Sequence, residues 1–260
     1  MKGALAIFAW SRLAIWGLAA GTVLLFDDHL NPSRGRWDTP RLHELGDWFD
    51  VLARWDSDWY LRIAESGYRW PSSMPAFFPL YPALVAVVGR VLGDRFLLGG
   101  VLVSVAASAA AFALLYELVR LRLGPRDARR ATLYLAVFPT SLFLGVVYGE
   151  GLFLALAIGT FLLAERGRLG WAAIVAGLAI LTRAQGLALL PALALFACRS
   201  RCSSSTRSSS RRGSGTDSRS STRSACGTVP SRHSARSAAS CRRSGRATCS
   251  GRSSRSRSSP

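Results

Sequence analysis

Residues 1–197 contain no cysteine, and all five cysteines of the chain stand at or beyond position 198, at irregular spacings. A disulfide framework or a zinc site needs regular cysteine spacing within a foldable segment, so we expect neither. The three histidines, His29, His43 and His233, are scattered along the chain without ligand spacing. The sequence therefore predicts no metal centre.

Acidic residues are also few, with 15 Asp and Glu against 33 Lys and Arg, for a net charge of +18. This charge is concentrated at one end of the chain. Residues 199–260 hold 15 arginines and one acidic residue, whereas residues 1–198 carry only +4. The high net charge therefore describes the C-terminal segment and does not indicate a nucleic-acid-binding domain.

Long apolar runs occupy most of residues 1–197, and they lack the polar face that a soluble amphipathic helix shows. A hydrocarbon core of ~30 Å takes about 20 helical residues to cross, and backbone in lipid must satisfy its own hydrogen bonds. The sequence therefore predicts an all-α, multi-pass integral membrane protein. The predicted spans are residues 4–26, 96–119, 131–147, 151–164 and 171–197.

The C-terminal segment 198–260 has a different composition. Of residues 199–260, 23 are Ser and 15 are Arg, and none is Phe, Trp or Tyr, so we expect this tail to be disordered. An RNA-binding interpretation of the Arg/Ser composition is rejected because a membrane protein offers it no evident partner. The composition changes abruptly after "LALLPALALFA", which suggests a reading-frame shift in a GC-rich gene. On that hypothesis residues 1–197 are the N-terminal part of a longer membrane domain.

Charge also predicts the topology, because positive loops favour the cytoplasmic side. The basic loops "RLRLGPRDARR" (120–130) and "ERGR" (165–168) both come to that side only if "FFPLYPALVAVVGRVLG" (77–93) lies in the outer interface without crossing. Three polar clusters then share the outer side: the segment around Asp56, "YGE" at 148–150, and the helix carrying Arg183. A charge at membrane depth is typically functional, although Arg183 has snorkelling to the interface as its alternative.

The stretch "RWDSDWYLRIAESGY" (54–68) is predicted to be helical over residues 56–67, with Gly67 at the C-terminal cap. On one face Asp58 precedes Arg62 by four positions, a favourable pair, and Glu65 follows. Another face suits the headgroup level of a bilayer and carries Trp55, Trp59 and Ile63. Asp56 has no partner within the segment, and its alternative role is that of a helix N-cap.

Four motifs in order, "RWDSDWYLRIAESGY", "AFFPLYPAL", "FPTSLFLGVVYGEGLF" and "GLAILTRAQGL", resemble the PIG-V type (GPI mannosyltransferase 2-like) mannosyltransferases. These are GT-C glycosyltransferases of the membrane that use a polyprenyl-phosphate-mannose donor. The resemblance runs through most of residues 5–196. It implies a GT-C-like helical bundle whose large external first loop carries interfacial helices and an acidic residue beside the reaction centre. One departure is Gly149, which stands where the family has Ser in "YSE".

The resemblance also implies the chemistry. The leaving group of such a donor is a phosphate monoester, already stable as an anion, so one base is enough for an inverting single displacement. Glycoside hydrolysis, by contrast, needs two carboxylates. The family's acidic residue falls on "WD", which assigns Asp56 as the general base and Asp58 as its support. Without a nucleotide diphosphate in the donor, no metal or other cofactor is expected.

The remaining site residues have assignments with alternatives. Arg62 pairs with a carboxylate or contacts the donor phosphate. Tyr148 and Glu150 orient the sugar or acceptor, with N-capping of the next helix or compensation of its dipole as the alternative for Glu150. Arg183 is predicted to hold the carrier phosphate, because a guanidinium binds phosphate oxygens bidentately.

The predicted function is hexosyl transfer to a lipid or glycan acceptor at the extracytoplasmic face, in the plasma membrane of a prokaryote or the endoplasmic reticulum membrane of a eukaryote. The expected partners are the polyprenyl-phosphate donor, the acceptor and membrane lipids, with no nucleic acid and no protein partner. The alternatives are a multi-pass transporter and a non-catalytic subunit of a glycolipid-assembly complex. A transporter should carry broken helices, often in paired repeats, and the sequence shows neither.

Overall fold

The computed structural model describes residues 2–30, 42, 44–46, 52–69 and 76–198. All of them lie in the first of the two units into which the chain divides, Met1–Arg211. Throughout this part of the chain the regular structure is helical, without a strand. The all-α prediction is therefore confirmed here. The predicted disordered tail, residues 198–260, lies outside the described residues apart from Cys198.

The described α-helices differ in length, from 10 to 29 residues. They are α1 (Lys2–Leu30), α2 (Ser57–Ser66), α3 (Leu80–Val91), α4 (Phe96–Leu123), α5 (Pro125–Val137), α6 (Glu150–Glu165) and α7 (Leu169–Ile180), with 3-10 helices at Pro139–Leu144 and Ala184–Ala188 and a last helix over residues 189–198. Two are long and apolar enough to cross a membrane, α1 over Lys2–Thr22 and α4 over its whole length. Helices α2 and α3, with 10 and 12 residues, reach only about 15 and 18 Å at 1.5 Å per residue.

Helix α4 lies at the centre of the bundle and contacts α1, α3, α5 and α6. Helices α3 and α6 come closest to α4 at positions where at least one of the two helices carries a glycine. A Cβ atom on Gly99 would lie 2.8 Å from the backbone nitrogen of Gly89 in α3, and one on Gly151 would lie 2.2 Å from Ser108 Oγ. Because these positions carry no side chain, α3 and the start of α6 can both lie against the first half of α4.

The predicted span over residues 131–147 is wrong, because the helix stops in the middle of the apolar run. Helix α5 ends at Val137, and Phe138 is extended, with φ −65° and ψ 135°. The residue before a proline avoids the α-helical region, and Pro139 follows Phe138. The chain then continues as the 3-10 helix Pro139–Leu144 and an irregular stretch up to Gly149.

The predicted span over residues 171–197 is interrupted in the same way. Helix α7 ends at Ile180, and Arg183 is extended, with φ −156° and ψ 147°. The chain folds back so closely that a Cβ atom on Gly186 would lie 2.6 Å from the backbone nitrogen of Ile180. The sequence analysis found no broken helices of the kind that a transporter carries, and this expectation is therefore also wrong. The helix predicted over residues 151–164, by contrast, is observed as α6.

The two ends of the bundle carry different side chains. At the C-terminal end of α4, Glu117 accepts hydrogen bonds from Arg120 and from Arg166, at 2.9 and 3.1 Å, and Arg122 pairs with Glu165. Nearer the other end of α4, Ser104 bonds Tyr148. Ser104 and Glu117 are about 20 Å apart along the helix axis. The basic loops and the three polar clusters therefore lie at opposite ends.

Candidate active site

The first turn of helix α2 is closed by hydrogen bonds between backbone groups. The Asp56 carboxylate therefore does not serve as the helix cap. Asp56 occupies the N-cap position, but its side chain makes no capping hydrogen bond. Its carbonyl oxygen accepts from the N–H groups of Trp59 and Tyr60 at 3.1 and 3.3 Å. At the other end Gly67, at φ 72°, donates to Ile63 O, which confirms the predicted cap. The Asp56 side chain is exposed and forms no ion pair within the described part of the chain.

The predicted pair of Asp58 and Arg62 is confirmed. Arg62 Nε lies 2.6 Å from Asp58 Oδ2, and the Arg62 guanidinium lies 5.5 Å from the centre of the Trp59 ring. The contact is an ion pair by proximity, since Arg62 Nε makes no well-aligned hydrogen bond to a described residue. The predicted bilayer face is wrong in two members, because Ile63 is buried and Trp55 lines the pocket described below. Glu65 is exposed and lines a separate pocket beside Asp94 and Arg95.

An open pocket of about 300 Å³ lies where three segments meet, and it is lined by Trp55, Asp56, Phe143, Tyr148 and Glu150. Trp55 and Asp56 precede α2, Phe143 belongs to the 3-10 helix, and Tyr148 and Glu150 stand at the start of α6. Asp56, Tyr148 and Glu150 were predicted as site residues from the sequence. Tertiary structure brings them to one pocket although more than 90 positions separate Asp56 from the other two.

Arg183 lies beside this pocket, paired with Glu150. Its Nη1 atom donates a hydrogen bond to Glu150 Oε1. Glu150 Oε2 is buried and has no hydrogen-bond partner among the described residues. A guanidinium has five N–H donors, so one bond to Glu150 does not exhaust those of Arg183. The pair thus brings a cation and an unsatisfied carboxylate oxygen to the same place.

The Tyr148 side chain contacts the backbone on the opposite side of the pocket. Its hydroxyl donates to Arg54 O at 3.3 Å and accepts from the Asp56 N–H at 3.1 Å. Burial raises the pKa of this hydroxyl to about 12, so it stays neutral near pH 7 and can donate and accept together. The sequence predicted that Tyr148 orients a sugar or acceptor, and the structure shows it bonded to the segment that carries Asp56.

Two further bonds join the same segments. Ser57 Oγ donates to Val147 O at 3.0 Å, and the Val147 N–H donates to Leu52 O at 2.8 Å. The Tyr148 N–H donates to Ser104 Oγ at 3.4 Å, which fixes the segment to α4. The start of α2 is therefore held against the start of α6 at several points.

Sequence reasoning missed Trp55, Phe143 and Arg12. Trp55 was predicted to face the bilayer, but it lines the pocket, with its ring centre 6.2 Å from that of Phe143. Arg12 in α1 is only 2% exposed and donates to both the carbonyl and the hydroxyl oxygen of Ser141. Arg12 interrupts the first apolar run, and an ionisable residue within such a run is the signal that could have identified it.

Metal-ligating side chains do not cluster in the described part of the chain, which contains no group of three or more His, Cys, Asp or Glu placed to hold an ion. The charged groups at the pocket are Asp56 and the Glu150–Arg183 pair. This arrangement can accept a proton, bind an anion and hold an uncharged ring against aromatic side chains.

A family model described as mannosyltransferase (PIG-V) matches residues 41–211, a range that includes the whole pocket. The matched range runs past residue 197, near which the resemblance by motifs ends. The mouse protein named GPI alpha-1,6-mannosyltransferase 2 is 36% identical over 167 residues, covering 59% of this chain and 33% of its own length. The human protein of that name is 30% identical over 165 residues, covering 60% and 33%. The chain thus spans about a third of the length of these curated relatives. No solved structure matches it.

Proposed function

Because the chain belongs to the mannosyltransferase (PIG-V) family, we propose that it transfers mannose from a polyprenyl-phosphate donor to a hydroxyl group of a lipid or glycan acceptor. The relatives' name, GPI alpha-1,6-mannosyltransferase 2, supports mannose as the sugar and a glycolipid as the acceptor class. The observation that carries the proposal is the pocket, in which the exposed Asp56 carboxylate lies near the Glu150–Arg183 pair.

In the proposed reaction the acceptor hydroxyl oxygen attacks the anomeric carbon of the donor sugar. The Asp56 carboxylate takes the proton of that hydroxyl as general base. The bond from the anomeric carbon to the phosphate oxygen breaks, and its electron pair leaves with the phosphate monoester. Because the hydroxyl oxygen attacks from the side opposite to this bond, the configuration at the anomeric carbon is inverted. The exposure of Asp56 supports this role, because the acceptor can reach a carboxylate that no described side chain has paired.

Arg183 is proposed to bind the donor phosphate. It is paired with Glu150, so the phosphate either shares the remaining N–H donors of Arg183 or displaces the Glu150 oxygen. The second Glu150 oxygen, which lacks a described partner, is then available to accept a hydrogen bond from a sugar hydroxyl. Asp58 and Arg62 support the site indirectly, as an ion pair on α2.

The proposed location is a membrane crossed several times, with the pocket on the extracytoplasmic side, in the plasma membrane or the endoplasmic reticulum membrane. Two helices long enough to cross, and the separation of the pocket from the basic loops, support it. We propose that no metal or other cofactor takes part. The phosphate monoester leaves as a stable anion, and Arg183 supplies a positive charge for it.

The second candidate function, a transporter, is favoured by the interrupted helices, which are typical of transport proteins. The interruptions lie at residues 138–149 and 181–188. Both, however, supply the proposed site, since the first brings Tyr148 and the second brings Arg183. Family membership and this placement favour transfer over transport, and over a non-catalytic subunit.

Replacement of Asp56 tests the proposal. We expect Asp56→Asn to lower kcat for mannose transfer from polyprenyl-phosphate-mannose by about 10²- to 10⁴-fold, the usual contribution of a general base. The matched control is Asp127→Asn, which removes a carboxylate that lies 3.3 Å from Arg130 near the start of α5, and it should leave kcat unchanged. Undiminished transfer by Asp56→Asn refutes the assignment of the base. Absence of transfer by the unchanged chain favours a transporter or a non-catalytic subunit.

A further inference from the structure

Trp55, the residue before the proposed base, has a backbone conformation that a bulky side chain rarely adopts. Its φ is 54°, in the left-handed region. Such a conformation is unfavourable for a residue other than glycine and persists only where the surrounding structure holds it. The Trp55 side chain is 70% exposed, so burial of the indole does not explain the conformation. The restraint must act on the backbone.

The Tyr148 hydroxyl supplies such a restraint, because it bonds the peptide groups on both sides of Trp55. It donates to the carbonyl oxygen of Arg54 at 3.3 Å and accepts from the N–H of Asp56 at 3.1 Å. The φ and ψ angles of Trp55 are the torsions between these two peptide planes. A single hydroxyl bonded to both planes therefore limits both torsions.

Tyr148 is itself well held. It is 6% exposed, and its ring centre lies 5.1 Å from that of Phe143 and 6.2 Å from that of Tyr60. The bonds from Ser57 and Val147 join the same two segments independently of the hydroxyl. The Ser57 N–H also donates to Arg54 O at 3.2 Å and closes a turn around Trp55 and Asp56, but turns with either sign of φ make such a bond. Loss of the Tyr148 hydroxyl should therefore release the positive φ of Trp55 while the segments stay together.

We propose that Tyr148 is a positioning residue, whose hydroxyl holds Trp55 in the left-handed conformation and thereby directs the Asp56 carboxylate into the pocket. This inference rests on the proposed function, in which Asp56 is the general base. Tyr148 acts through the backbone of Asp56 and not on the sugar. If Trp55 returned to the ordinary negative φ region, the Asp56 N–H and the start of α2 would rotate relative to Arg54.

Glycine at position 55 separates positioning from a direct contact with substrate, since glycine adopts positive φ without the cost. We expect Tyr148→Phe alone to lower kcat about 10- to 100-fold and to change KM less than about 3-fold. In a Trp55→Gly background the same change should lower kcat less than about 3-fold, because the turn no longer needs the hydroxyl. An equal loss in both backgrounds overturns the proposal, since a hydroxyl that contacts the substrate would matter in both.

The matched control is Tyr60→Phe, which removes a neighbouring buried hydroxyl that does not line the pocket. It should change kcat less than about 2-fold. A loss as large as that of Tyr148→Phe would point to a general effect of phenol removal on this aromatic cluster and would overturn the specific role of Tyr148.

A second measurement needs no transfer activity. The chain is labelled with 5-fluorotryptophan, and the ¹⁹F signal that Trp55→Gly removes is assigned to Trp55. We expect Tyr148→Phe to shift or split this signal, whereas Tyr60→Phe leaves its position unchanged. An unmoved signal in Tyr148→Phe overturns the proposal. A shifted signal together with no transfer by the unchanged chain supports the restraint on Trp55 and counts against the proposed function instead.

Discussion

Asp56 and Asp58 stand two positions apart, and their different backbone positions give the two carboxylates different surroundings. Asp58 lies in the first turn of α2, is 8% exposed and pairs with Arg62. Asp56 precedes the helix, and its carboxylate is exposed. The Asp56 carboxylate is therefore accessible, as the proposed role of general base requires, whereas the Asp58 carboxylate is buried and paired with a cation. Helix periodicity predicted the Asp58–Arg62 pair because both residues belong to one local element.

Gly149 is a second residue at which a substitution has a predictable effect on stability. It is the N-cap of α6, where the family resemblance implies Ser. A Cβ atom there would lie 3.6–3.7 Å from Tyr81, Thr182 and Tyr60, which are ordinary contacts. Serine is a better N-cap than alanine and at least equals glycine. We expect Gly149→Ser to raise the free energy of unfolding by a few tenths of a kcal/mol, measured by thermal unfolding in detergent.

Gly99→Ser is the matched comparison for Gly149→Ser. It adds the same side chain near the start of another helix, but its Cβ would lie 2.8 Å from the backbone nitrogen of Gly89, which cannot move aside. Overpacking of this kind typically costs ~1–3 kcal/mol, so Tm should fall. A fall of equal size in Gly149→Ser would show that the start of α6 has no room for a side chain.

At the scale of elements, the interruption after α5 connects the first helix to the site. The 3-10 helix Pro139–Leu144 lies against α1, where Arg12 donates to Ser141 and Trp16 Nε1 donates to Gly145 O at 3.1 Å. The same 3-10 helix supplies Phe143 to the pocket. Although α1 lies outside the range that the family model matches, it thus holds one wall of the pocket in place.

Replacing Arg12 should therefore destabilise the fold, because it removes the bonds between α1 and the 3-10 helix. Hydrogen bonds to a charged group contribute ~1.5–3 kcal/mol, and Arg12→Ala removes two of them from the buried Ser141. We expect the free energy of unfolding in detergent to fall by at least about 2 kcal/mol, with partial recovery in Arg12→Lys. Leu18→Ala, at a 74% exposed position of the same helix, is the control. Equal effects of the two alanine substitutions would contradict an anchoring role for Arg12.

At the scale of the whole molecule, the described residues have a polar pocket at one end and a basic network at the other. Helix α4 connects the two, with Ser104 near the pocket and Glu117 in the network. In the proposed topology the basic network lies on the cytoplasmic side, which places the pocket on the outer side. This arrangement supports the predicted topology, in which α2 and α3 do not cross the membrane.

Cysteine labelling tests the topology, because residues 1–197 contain no cysteine. After the five natural cysteines are replaced by serine, one cysteine is introduced at exposed Ser66 in α2 or at exposed Arg129 in α5. A membrane-impermeant maleimide added to intact cells should label Ser66→Cys. It should label Arg129→Cys only after the membrane is opened. Labelling of both positions in intact cells would contradict the proposed orientation.

The parts of this protein that depend on near neighbours in the chain could be predicted from the sequence. Helix α2, its glycine cap and the Asp58–Arg62 pair depend on residues at most a few positions apart, and the apolar runs indicate helices by composition. The motifs around Asp56, Tyr148, Glu150 and Arg183 sufficed to suggest the family. Each of these features is local, so the order of the residues carries enough information.

Only the tertiary structure decided how these segments meet. The apolar runs 131–147 and 171–197 are each interrupted, because Pro139 in one and the tight return at Gly186 in the other stop the helix. The bonds of Tyr148 to the Trp55 turn and of Arg12 to Ser141 join positions more than 90 residues apart. Such contacts depend on how helices pack around α4, and no local pattern in the sequence encodes that packing.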